Sequence, residues 1–555
     1  MNHLSFLSSC HSAPSASLYK KLSGQYYTNT VIAERLAETL SKNMSEEISL
    51  KRSLSIIDPF SGDGRLVVSF LKALRKKKEL LLGKAQLTVD LWDIDKNALD
   101  LAVYKINKID FGEVGIELRA FVTDSFNKVY DFEDSFDIVL SNPPWEVLKP
   151  NRKDFAFLSA DDIEKYIDLL REYDNFLSKA YPASQPNKKF AGWGTNLSRV
   201  GFEACQRLCA NDGVVGIVMP ASFLADGQSS LLRKSVFEEW RVFDISYYPA
   251  EARLFKGVDV DFSTLILSPS KKHCGETSIK VYDKNNVLAE KELIRIDMKK
   301  LSMCDYIIPV ATGLKSSSIL ERIRECSVCF EEYEKDKRIS LWTGREIDET
   351  RSQDWLVDDC SCGVHYIKGK MIRRFGFSEN PTQYVDCSKK RIPKSSKYKK
   401  IVWRDVSRQS QKRRLIATIV DSGFVAGNSL GVAYCDSPDS NVIYTILGIM
   451  TSLVFEFQLK SSLTTNHISL GALRKCFVPK VKQVIEDSYV RDSMMGIICS
   501  YNEDIEREVD AYIAKYFYGV TRDEYGCIIN SFNKITNSER SDMLKAYDSF
   551  CDGEK

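Results

Sequence analysis

Short apolar segments alternate with amphipathic stretches of helical spacing between residues 53 and 270. This alternation is typical of a parallel sheet flanked by helices. We predict helices between the strands, for example over Arg65–Arg75 and Lys96–Ile106, and another that begins near Asn29 or Thr30. Seven segments predict the strands: Leu54–Ile57, Leu87–Trp92, Leu118–Val122, Phe136–Leu140, Val214–Met219, Val242–Tyr247 and Phe262–Leu267. The predicted fold class is therefore α/β, with a doubly wound sheet.

The composition narrows the class of protein further. The chain of 555 residues is 44% hydrophobic and 28% charged, which excludes a collagen-like, rod-like or wholly disordered protein. Its net charge is only +2, so any nucleic-acid surface is expected to be a local patch. The uncharged apolar run Ser440–Phe455 is shorter than the ~20 residues of a membrane span, and residues 1–18 do not resemble a secretory signal. With 15 cysteines and no such signal, we expect reduced thiols, a cytoplasmic location and no membrane partner.

A glycine turn follows the first predicted strand. Gly62 and Gly64 allow a tight turn and a close approach of the backbone to a ligand. The turn is neither a phosphate-binding P-loop, because no Gly-Lys-Ser/Thr follows, nor a full dinucleotide fingerprint. Asp93 ends the second strand, where a carboxylate can accept both hydroxyls of a ribose, and Asp124 ends the third, where one could accept from an exocyclic amino group. Together these features favour an adenosine-containing cofactor over an ordinary turn with two helix-capping acids.

The sequence Ser141-Asn142-Pro143-Pro144-Trp145 ends the fourth strand and is the most specific signal in the chain. The two prolines remove backbone donors and fix the turn. The Asn142 side-chain oxygen and the Pro143 carbonyl can then converge as two acceptors for a planar amino group. Trp145 offers a flat face for an extruded base. The alternative is a Pro-Pro strand terminator beside a core tryptophan.

In this order and spacing, these motifs resemble the class I S-adenosylmethionine-dependent methyltransferases that act on amino nitrogens. In particular, they resemble the gamma-type DNA N6-adenine methyltransferases of restriction-modification systems. The segment that ends in Tyr27-Thr28 is similar to the family's N-terminal cofactor motif, although Asn29 stands where the family usually has proline. Phe255 lies in a segment that resembles the motif whose aromatic ring packs against a flipped base. Asp510–Glu524 resembles a C-terminal helical signature of the larger restriction-associated methylases.

The resemblance implies methyl transfer from S-adenosyl-L-methionine to adenine N6 of a flipped-out base in double-stranded DNA, without a covalent enzyme intermediate. The implied catalytic residues are Asn142, Pro143, Pro144, Trp145 and Phe255. The implied cofactor-binding residues are Tyr27, Thr28, Asp58, Pro59, Phe60, Gly62, Gly64, Asp93, Asp124 and Asn142.

A basic, aromatic-rich stretch lies in the second half of the chain, over residues 365–417. Such a stretch can bind a phosphate backbone, although most charge runs are simply solvated faces. Because the first half indicates a nucleic-acid base as substrate, we favour DNA contact. The candidate DNA-binding residues are Lys368, Lys370, Arg373, Arg374, Arg404, Arg413 and Arg414.

Four regions are predicted along the chain. Residues 1–18 form a flexible lead-in, and residues 19–285 form the methyltransferase domain, with an insertion at 151–189 over the active site. Residues 286–480 form a mixed α/β target-recognition domain, and residues 481–555 form a helical tail. No nuclease constellation is evident, so a separate restriction endonuclease is the expected partner for any cleavage.

A zinc site is conceivable on sequence grounds, but its ligand spacing is unusual and we assign no metal. Its ligands would be Cys326, Cys329, Cys360, Cys362 and His365. Three other functions stay open: an RNA adenine methyltransferase, a protein glutamine methyltransferase, and a catalytically silent DNA-binding subunit.

Overall fold

The computed structural model describes residues 27–77, 83–149, 159–186, 194–255, 257–270, 275–303, 305–348, 355–358, 363–378, 381–388, 391–408, 411–436, 441–462 and 466–550. The chain forms two compact units, Met1–Ile308 and Pro309–Lys555. The division lies beyond residue 285, where the sequence predicts the catalytic domain to end. The four-region division of function stays a prediction.

The first unit is built on a nine-stranded sheet with the order β3-β2-β1-β4-β5-β7-β6-β8-β9. All seven predicted strands are present in it, and the predicted doubly wound α/β sheet is confirmed. Its strands are β1 Ser53–Asp58, β2 Gln86–Asp93, β3 Gly115–Val122, β4 Phe136–Ser141, β5 Cys209–Pro220, β6 Trp240–Tyr248, β7 Phe262–Pro269, β8 Thr277–Tyr282 and β9 Leu288–Ile294.

Among the seven predicted strands, one departs from the parallel arrangement that the alternation predicts. β1 to β5 are mutually parallel, but β7 pairs antiparallel with both β5 and β6. In its described residues, the connection between β6 and β7 contains only the 3-10 turn Ala250–Ala252. A parallel crossover usually needs a helix, whereas a short connection returns the chain in the opposite direction.

Helices lie before β1 and between or after later strands of the first unit. They are α1 Thr30–Lys42, α2 Glu46–Leu50, α3 Arg65–Lys76, α4 Lys96–Asn107, α5 Ser125–Lys128, α6 Ala160–Ala180, α7 Leu197–Leu208, α8 Ser230–Glu239 and α9 Met298–Met303. Asn29 caps α1 through its side chain, as one of the two predicted caps. α6 lies within the predicted insertion.

Small sheets and helices make up the second unit. Two of its sheets have four strands each, in the orders β11-β20-β17-β18 and β12-β16-β13-β19. The strands are β10 Val328–Cys329, β11 Leu341–Gly344, β12 Leu356–Val357, β13 Gly363–Ile367, β14 Ile372–Arg373, β15 Gly376–Phe377, β16 Gln383–Asp386, β17 Lys400–Arg404, β18 Ala417–Val420, β19 Phe424–Ala426, β20 Leu430–Cys435 and β21 Phe477–Val478. This irregular mixture agrees with the weak periodicity of that part of the sequence.

The helices of the second unit share one hydrophobic core with part of its sheet structure. They are α10 Ser316–Cys326, α11 Glu331–Lys335, α12 Val442–Thr451, α13 Leu453–Ser462, α14 Leu470–Arg474, α15 Val481–Glu486, α16 Tyr489–Cys499, α17 Glu503–Tyr512, α18 Arg522–Asn530 and α19 Asn537–Ser549. The predicted helical character of residues 481–555 is confirmed for the helices up to Ser549. These helices pack into the same core as the residues before them.

The apolar run noted in the sequence forms α12 and the start of α13, and every residue of α12 is buried. Over the described ranges, no single helix is long and apolar enough to cross a membrane. α12 and α13 meet the length and composition criteria only as a pair, and the two are bent by 53°.

Candidate active site

The four parallel strands β1 to β4 end at one edge of the first unit's sheet, and the predicted site residues follow these ends. The strand order β3-β2-β1-β4 places Asp124, Asp93, the glycine turn and Asn142 in that sequence along the edge. Parallel sheets bind ligands at such a carboxyl edge. The topology therefore gathers residues from four separate sequence segments into one candidate site.

The glycine turn is held by the acid that ends β2. The backbone N–H of Gly62 donates to Asp93 Oδ2 at 2.7 Å, and Gly62 and Gly64 have φ angles of 49° and 75°. A β-carbon at Gly64 would lie 2.7 Å from the β-carbon of Ala102, which is closer than van der Waals contact. Gly64 is thus required both for its left-handed backbone and for the close approach of α4.

The segment Tyr27-Thr28 lies against this turn. A β-carbon at Gly62 would lie 3.2 Å from two ring atoms of Tyr27, so the tyrosine ring covers the turn. Arg65 donates to the Thr28 carbonyl at 3.1 Å and pairs with Asp63 at 2.7 Å, and its guanidinium carbon lies 5.5 Å from the centre of the Tyr27 ring. Arg65 therefore fastens the N-terminal segment to the glycine turn, a role that the sequence motif does not reveal.

Asn142 is connected to the same segment. Its Nδ2 donates to the hydroxyl of Thr28 at 3.1 Å. Behind it, Pro143 packs against Gly201 of α7, where a β-carbon would lie only 2.3 Å from that of Pro143. Gly201 escaped the sequence analysis because a lone glycine within a helical pattern gives no signal of what packs on it.

The two predicted aromatic residues contact each other. The ring centres of Trp145 and Phe255 are 4.9 Å apart, and Phe262 packs on both. Rings at this separation are in direct contact, so a base cannot lie between Trp145 and Phe255 in this state. The packing of Phe255 against a flipped base therefore stays a prediction. Stacking on Trp145 alone stays a prediction.

The acids of the site differ in their surroundings. Burial raises the pKa of Asp58 well above its usual range, with the neighbouring Asp93 adding to the rise, while the hydrogen bond from the Phe60 backbone opposes it. Burial also raises the pKa of Asp93, although the hydrogen bonds that its carboxylate accepts from the backbone N–H groups of Asp95 and Gly62 lower it in part. The charged forms of these two carboxylates are thus poorly solvated, and a cationic ligand would stabilise them.

Asp124 contacts the insertion. Its carboxylate caps α5 and also accepts from the Tyr173 hydroxyl, at 2.8 Å, and from Asn127. Burial, together with the charge of Asp124, raises the pKa of Tyr173 well above its usual range, so this tyrosine acts as a hydrogen-bond donor. α6 therefore contacts the carboxyl edge through Tyr173, and Asp124 acts as a helix cap. A ligand role of Asp124 stays a prediction. Tyr173 was missed because it lies in an insertion without a strand-end signal.

The basic residues of the second unit fall into two groups. Arg374 and Arg413 are turned inward and ion-paired with Glu456, Glu506 and Asp510. A guanidinium that is committed to buried carboxylates cannot also neutralise DNA phosphates, so the sequence-based assignment of these two arginines is corrected.

The remaining candidates vary in exposure. Lys370 and Arg373 are exposed, and Lys368 is half-buried with its ammonium over the Tyr366 ring. Arg404 donates to the Ile372 carbonyl, and burial lowers its pKa. Arg414 is half-buried and donates to the Ser407 carbonyl at 3.5 Å.

The conceivable zinc site is only partly within the described chain. Cys360 and Cys362 lie outside the described residues. The ring of His365 packs against Tyr384 and Phe424. Within the described ranges, no three histidine, cysteine or acidic side chains come together as a metal site would require.

Comparisons with known proteins match the part of the chain that contains this candidate site. The family model of the N-6 DNA Methylase matches residues 14–169. The type II methyltransferase M.VspI of Vibrio sp. (strain 343) is 22% identical over 280 residues, which are 48% of this chain and 56% of the relative, so the match spans about half of each protein. The solved structure of MmeI, a type IIL restriction-modification enzyme in complex with DNA, has the same fold with a TM-score of 0.52 at 12% identity, over 100% of this chain and 82% of that one. The predicted resemblance is confirmed: the segment that contains the glycine turn, Asp93, Asp124 and Asn142 matches the N-6 DNA methylase family.

Proposed function

We propose that this protein transfers a methyl group from S-adenosyl-L-methionine to adenine N6 in double-stranded DNA, within a restriction-modification system. The observation that carries the proposal is the position of Asn142, which follows β4 and is hydrogen-bonded to Thr28 beside the glycine turn. The family match covers the same residues. An enzyme of this kind would act in the cytoplasm and would have a separate restriction endonuclease as its partner.

The residues at the edge fit an adenosine-containing sulfonium compound. The side-chain-free turn at Gly62 and Gly64 allows close approach, and the half-buried carboxylates of Asp93 and Asp124 suit ribose hydroxyls and an adenine amino group. Tyr27 and Thr28 would cover the ligand. S-adenosylmethionine supplies an activated methyl group on a good leaving group.

The chain's own contribution is orientation. The Asn142 side-chain oxygen and the Pro143 carbonyl would accept the two N6 hydrogens and so direct the nitrogen lone pair toward the methyl group. N6 would take the methyl group that S-adenosylmethionine supplies, with the neutral thioether as the leaving group, and would release one proton to solvent. Positioning of this kind accounts for a large part of the catalysis of such transfers.

The direct test is to incubate the purified chain with isotopically labelled S-adenosylmethionine and with DNA, RNA or protein. Digestion and mass spectrometry should find N6-methyladenine in DNA. Label in RNA adenine or in protein glutamine would establish one of the other methyltransferase functions. Binding of the methyl donor or of DNA without any transfer would indicate a silent subunit. Sequencing DNA from cells with and without the gene would identify the methylated site.

Asp93→Ala should weaken the affinity for S-adenosylmethionine by roughly 10–100-fold, because it removes a charged acceptor of hydrogen bonds. It also releases the backbone N–H of Gly62, which shapes the turn. Calorimetric titration measures the effect. Asp100→Asn, at an exposed position on α4, is the matched control and should bind as the wild type does. Unchanged affinity in Asp93→Ala would place the ribose contact elsewhere.

We expect three basic residues of the second unit, the exposed Lys370 and Arg373 and the half-buried Lys368, to contact DNA phosphates. Replacing Lys368, Lys370 and Arg373 with glutamine should weaken DNA binding and reduce the slope of log K against log salt by about one for each lost phosphate contact. A matched triple variant at the exposed positions Lys335, Lys482 and Lys545 is the control. If both triple variants retain the wild-type slope, the basic stretch is only a solvated face.

A further inference from the structure

Arg199 is a buried cation without a partner. It lies in the first turn of α7 and is only 5% exposed. No residue within the described ranges forms a hydrogen bond or an ion pair with its guanidinium, and its Nε is fully buried with no acceptor. Burial lowers the pKa of Arg199, and the charge of Asp226 offsets this only in part. Such an arrangement costs free energy of folding unless a ligand provides the missing acceptors.

A neighbouring arginine shows the structural alternative. Arg233 is fully buried, and its guanidinium donates to the carbonyls of Phe223 at 2.9 Å, Asp226 at 2.6 Å and Asp305 at 3.0 Å. This arginine therefore needs nothing further, and it holds the loop that follows β5. The contrast identifies Arg199 as a group whose partner is not part of the described chain.

The location of Arg199 indicates what that partner is. α7 begins beside the segment that follows Asn142, because the backbone N–H of Leu197 donates to the Glu146 carbonyl at 2.9 Å. Phe202, one turn after Arg199, contacts Phe223 in the turn after β5, with ring centres 5.0 Å apart. Arg199 thus lies where β4 and β5 end.

The proposed cofactor residues lie on the other flank of Asn142. They follow β1, β2 and β3, whereas β5 borders β4 on the opposite side in the sheet order β3-β2-β1-β4-β5. Arg199 is therefore placed on the side from which a target nucleotide would reach Asn142. The anionic group of a nucleotide is its phosphate, and a guanidinium can donate to a phosphate through two parallel hydrogen bonds.

We propose that Arg199 binds a backbone phosphate next to the flipped adenosine and so holds the extruded nucleotide at Asn142. The proposal rests on the proposed function. It adds a positioning residue for the substrate that neither the sequence motifs nor the comparisons assign.

Arg199→Gln in the whole chain should weaken binding of a duplex that contains the unmethylated target site by about 10-fold or more. This is the effect of losing a charge-assisted hydrogen bond. Affinity for S-adenosylmethionine should stay unchanged. The thermal unfolding temperature should stay equal or rise, because an unpaired buried charge is removed. Arg233→Gln is the control for a structural arginine and should lower that temperature. A fall in the unfolding temperature of Arg199→Gln, or weaker cofactor binding, would overturn the proposal.

A phosphate scan makes the test specific. Duplexes in which one phosphate near the target adenine is replaced by a neutral methylphosphonate are compared with wild type and Arg199→Gln. At one position, the methylphosphonate should lower the affinity of the wild type for the duplex. The same replacement should lower the affinity of Arg199→Gln, which is already weaker, only a little further. Independent, additive losses at every position would overturn the proposal. If the wild type methylates no DNA at all, the proposed function itself has failed, which is a separate outcome.

Discussion

Asn142→Ala should reduce methyl transfer by about 10²–10³-fold, the effect of removing one positioned hydrogen-bonding group from an active site. Its affinity for S-adenosylmethionine should stay near that of the wild type, because Asn142 is proposed to orient the adenine amino group and not to hold the sulfonium. Single-turnover kinetics with a duplex that contains the unmethylated target site measure the rate of methyl transfer. Calorimetric titration measures the affinity for S-adenosylmethionine. Transfer at the wild-type rate would show that the active site has been assigned wrongly.

The contact between Asn142 and Thr28 provides the control. Asn142 Nδ2 donates to the Thr28 hydroxyl, so the asparagine could act merely by holding the N-terminal segment in place. Thr28→Val removes that hydrogen bond and leaves the Asn142 side chain present. If orientation of the amino group is the role of Asn142, Thr28→Val should reduce transfer far less than Asn142→Ala. Equal losses in the two variants would indicate a structural role.

The sequence could predict the edge of the sheet because each of its parts has a local signature. β1, β2 and β4 are buried along most of their length, and they end in a glycine turn, an acid and a Pro-Pro pair. Such patterns are set by residues a few positions apart. Topology then brings them together, because parallel strands place their carboxyl ends at one edge.

The contacts that complete the site could not be predicted in the same way. Arg65, Tyr173 and Gly201 act on residues 37, 49 and 58 positions away in the chain, and only the packed structure shows those contacts. The pair Trp145 and Phe255 shows the reverse problem. Both aromatic residues were identified from sequence, but sequence gives no distance between two rings, and here they touch.

The basic stretch shows why a charge run is a weak predictor of a binding surface. The adjacent residues Arg373 and Arg374 have the same side chain, yet the first is exposed and the second is ion-paired with Glu456 and Glu506. The acids that bind Arg374 are more than 80 positions away in sequence. A count of charges within a window cannot separate these two cases.

The buried charge cluster of the second unit connects four chain segments. Arg413, with its side chain only 10% exposed, pairs with Glu456 and Asp510, at 2.9 Å in both cases, and Arg374 pairs with Glu506 at 2.7 Å. We call these five residues the charge cluster. Three carboxylates face two guanidinium groups, so the balance of charge depends on each arginine.

The backbone is tied to the same acids. Glu456 also accepts from the backbone N–H of Arg414 at 2.7 Å, and Asp510 accepts from that of Leu453 at 2.9 Å. The charge cluster therefore joins α13 and α17 to the segment that precedes β18.

Arg413→Ala is expected to lower the free energy of unfolding of the second unit by about 3–5 kcal/mol, because it leaves buried carboxylates uncompensated. Urea unfolding of the full chain, followed at two wavelengths to separate the transitions of the two units, measures the loss. Arg373→Ala is the matched control, since it removes an exposed arginine next to the cluster and should change stability by less than about 0.5 kcal/mol. Equal stability of wild type and Arg413→Ala would show that the charge cluster is not a structural element.

The dependence of stability on pH provides an independent test of the ion pairs in the charge cluster. Burial alone would raise the pKa of Glu506, but Arg374 and Arg413 outweigh burial and lower it to about 2. A folded-state pKa below the unfolded value of roughly 4.3 means that Glu506 stabilises the fold above that pH, and that this stabilisation is lost as the pH falls toward 2. In Arg413→Ala the pKa of Glu506 should rise toward the unfolded value, so the stability lost on acidification should be smaller, and the loss should be complete at a higher pH than in the wild type. Parallel acid-unfolding curves for the two proteins, offset only in stability, would contradict this coupling.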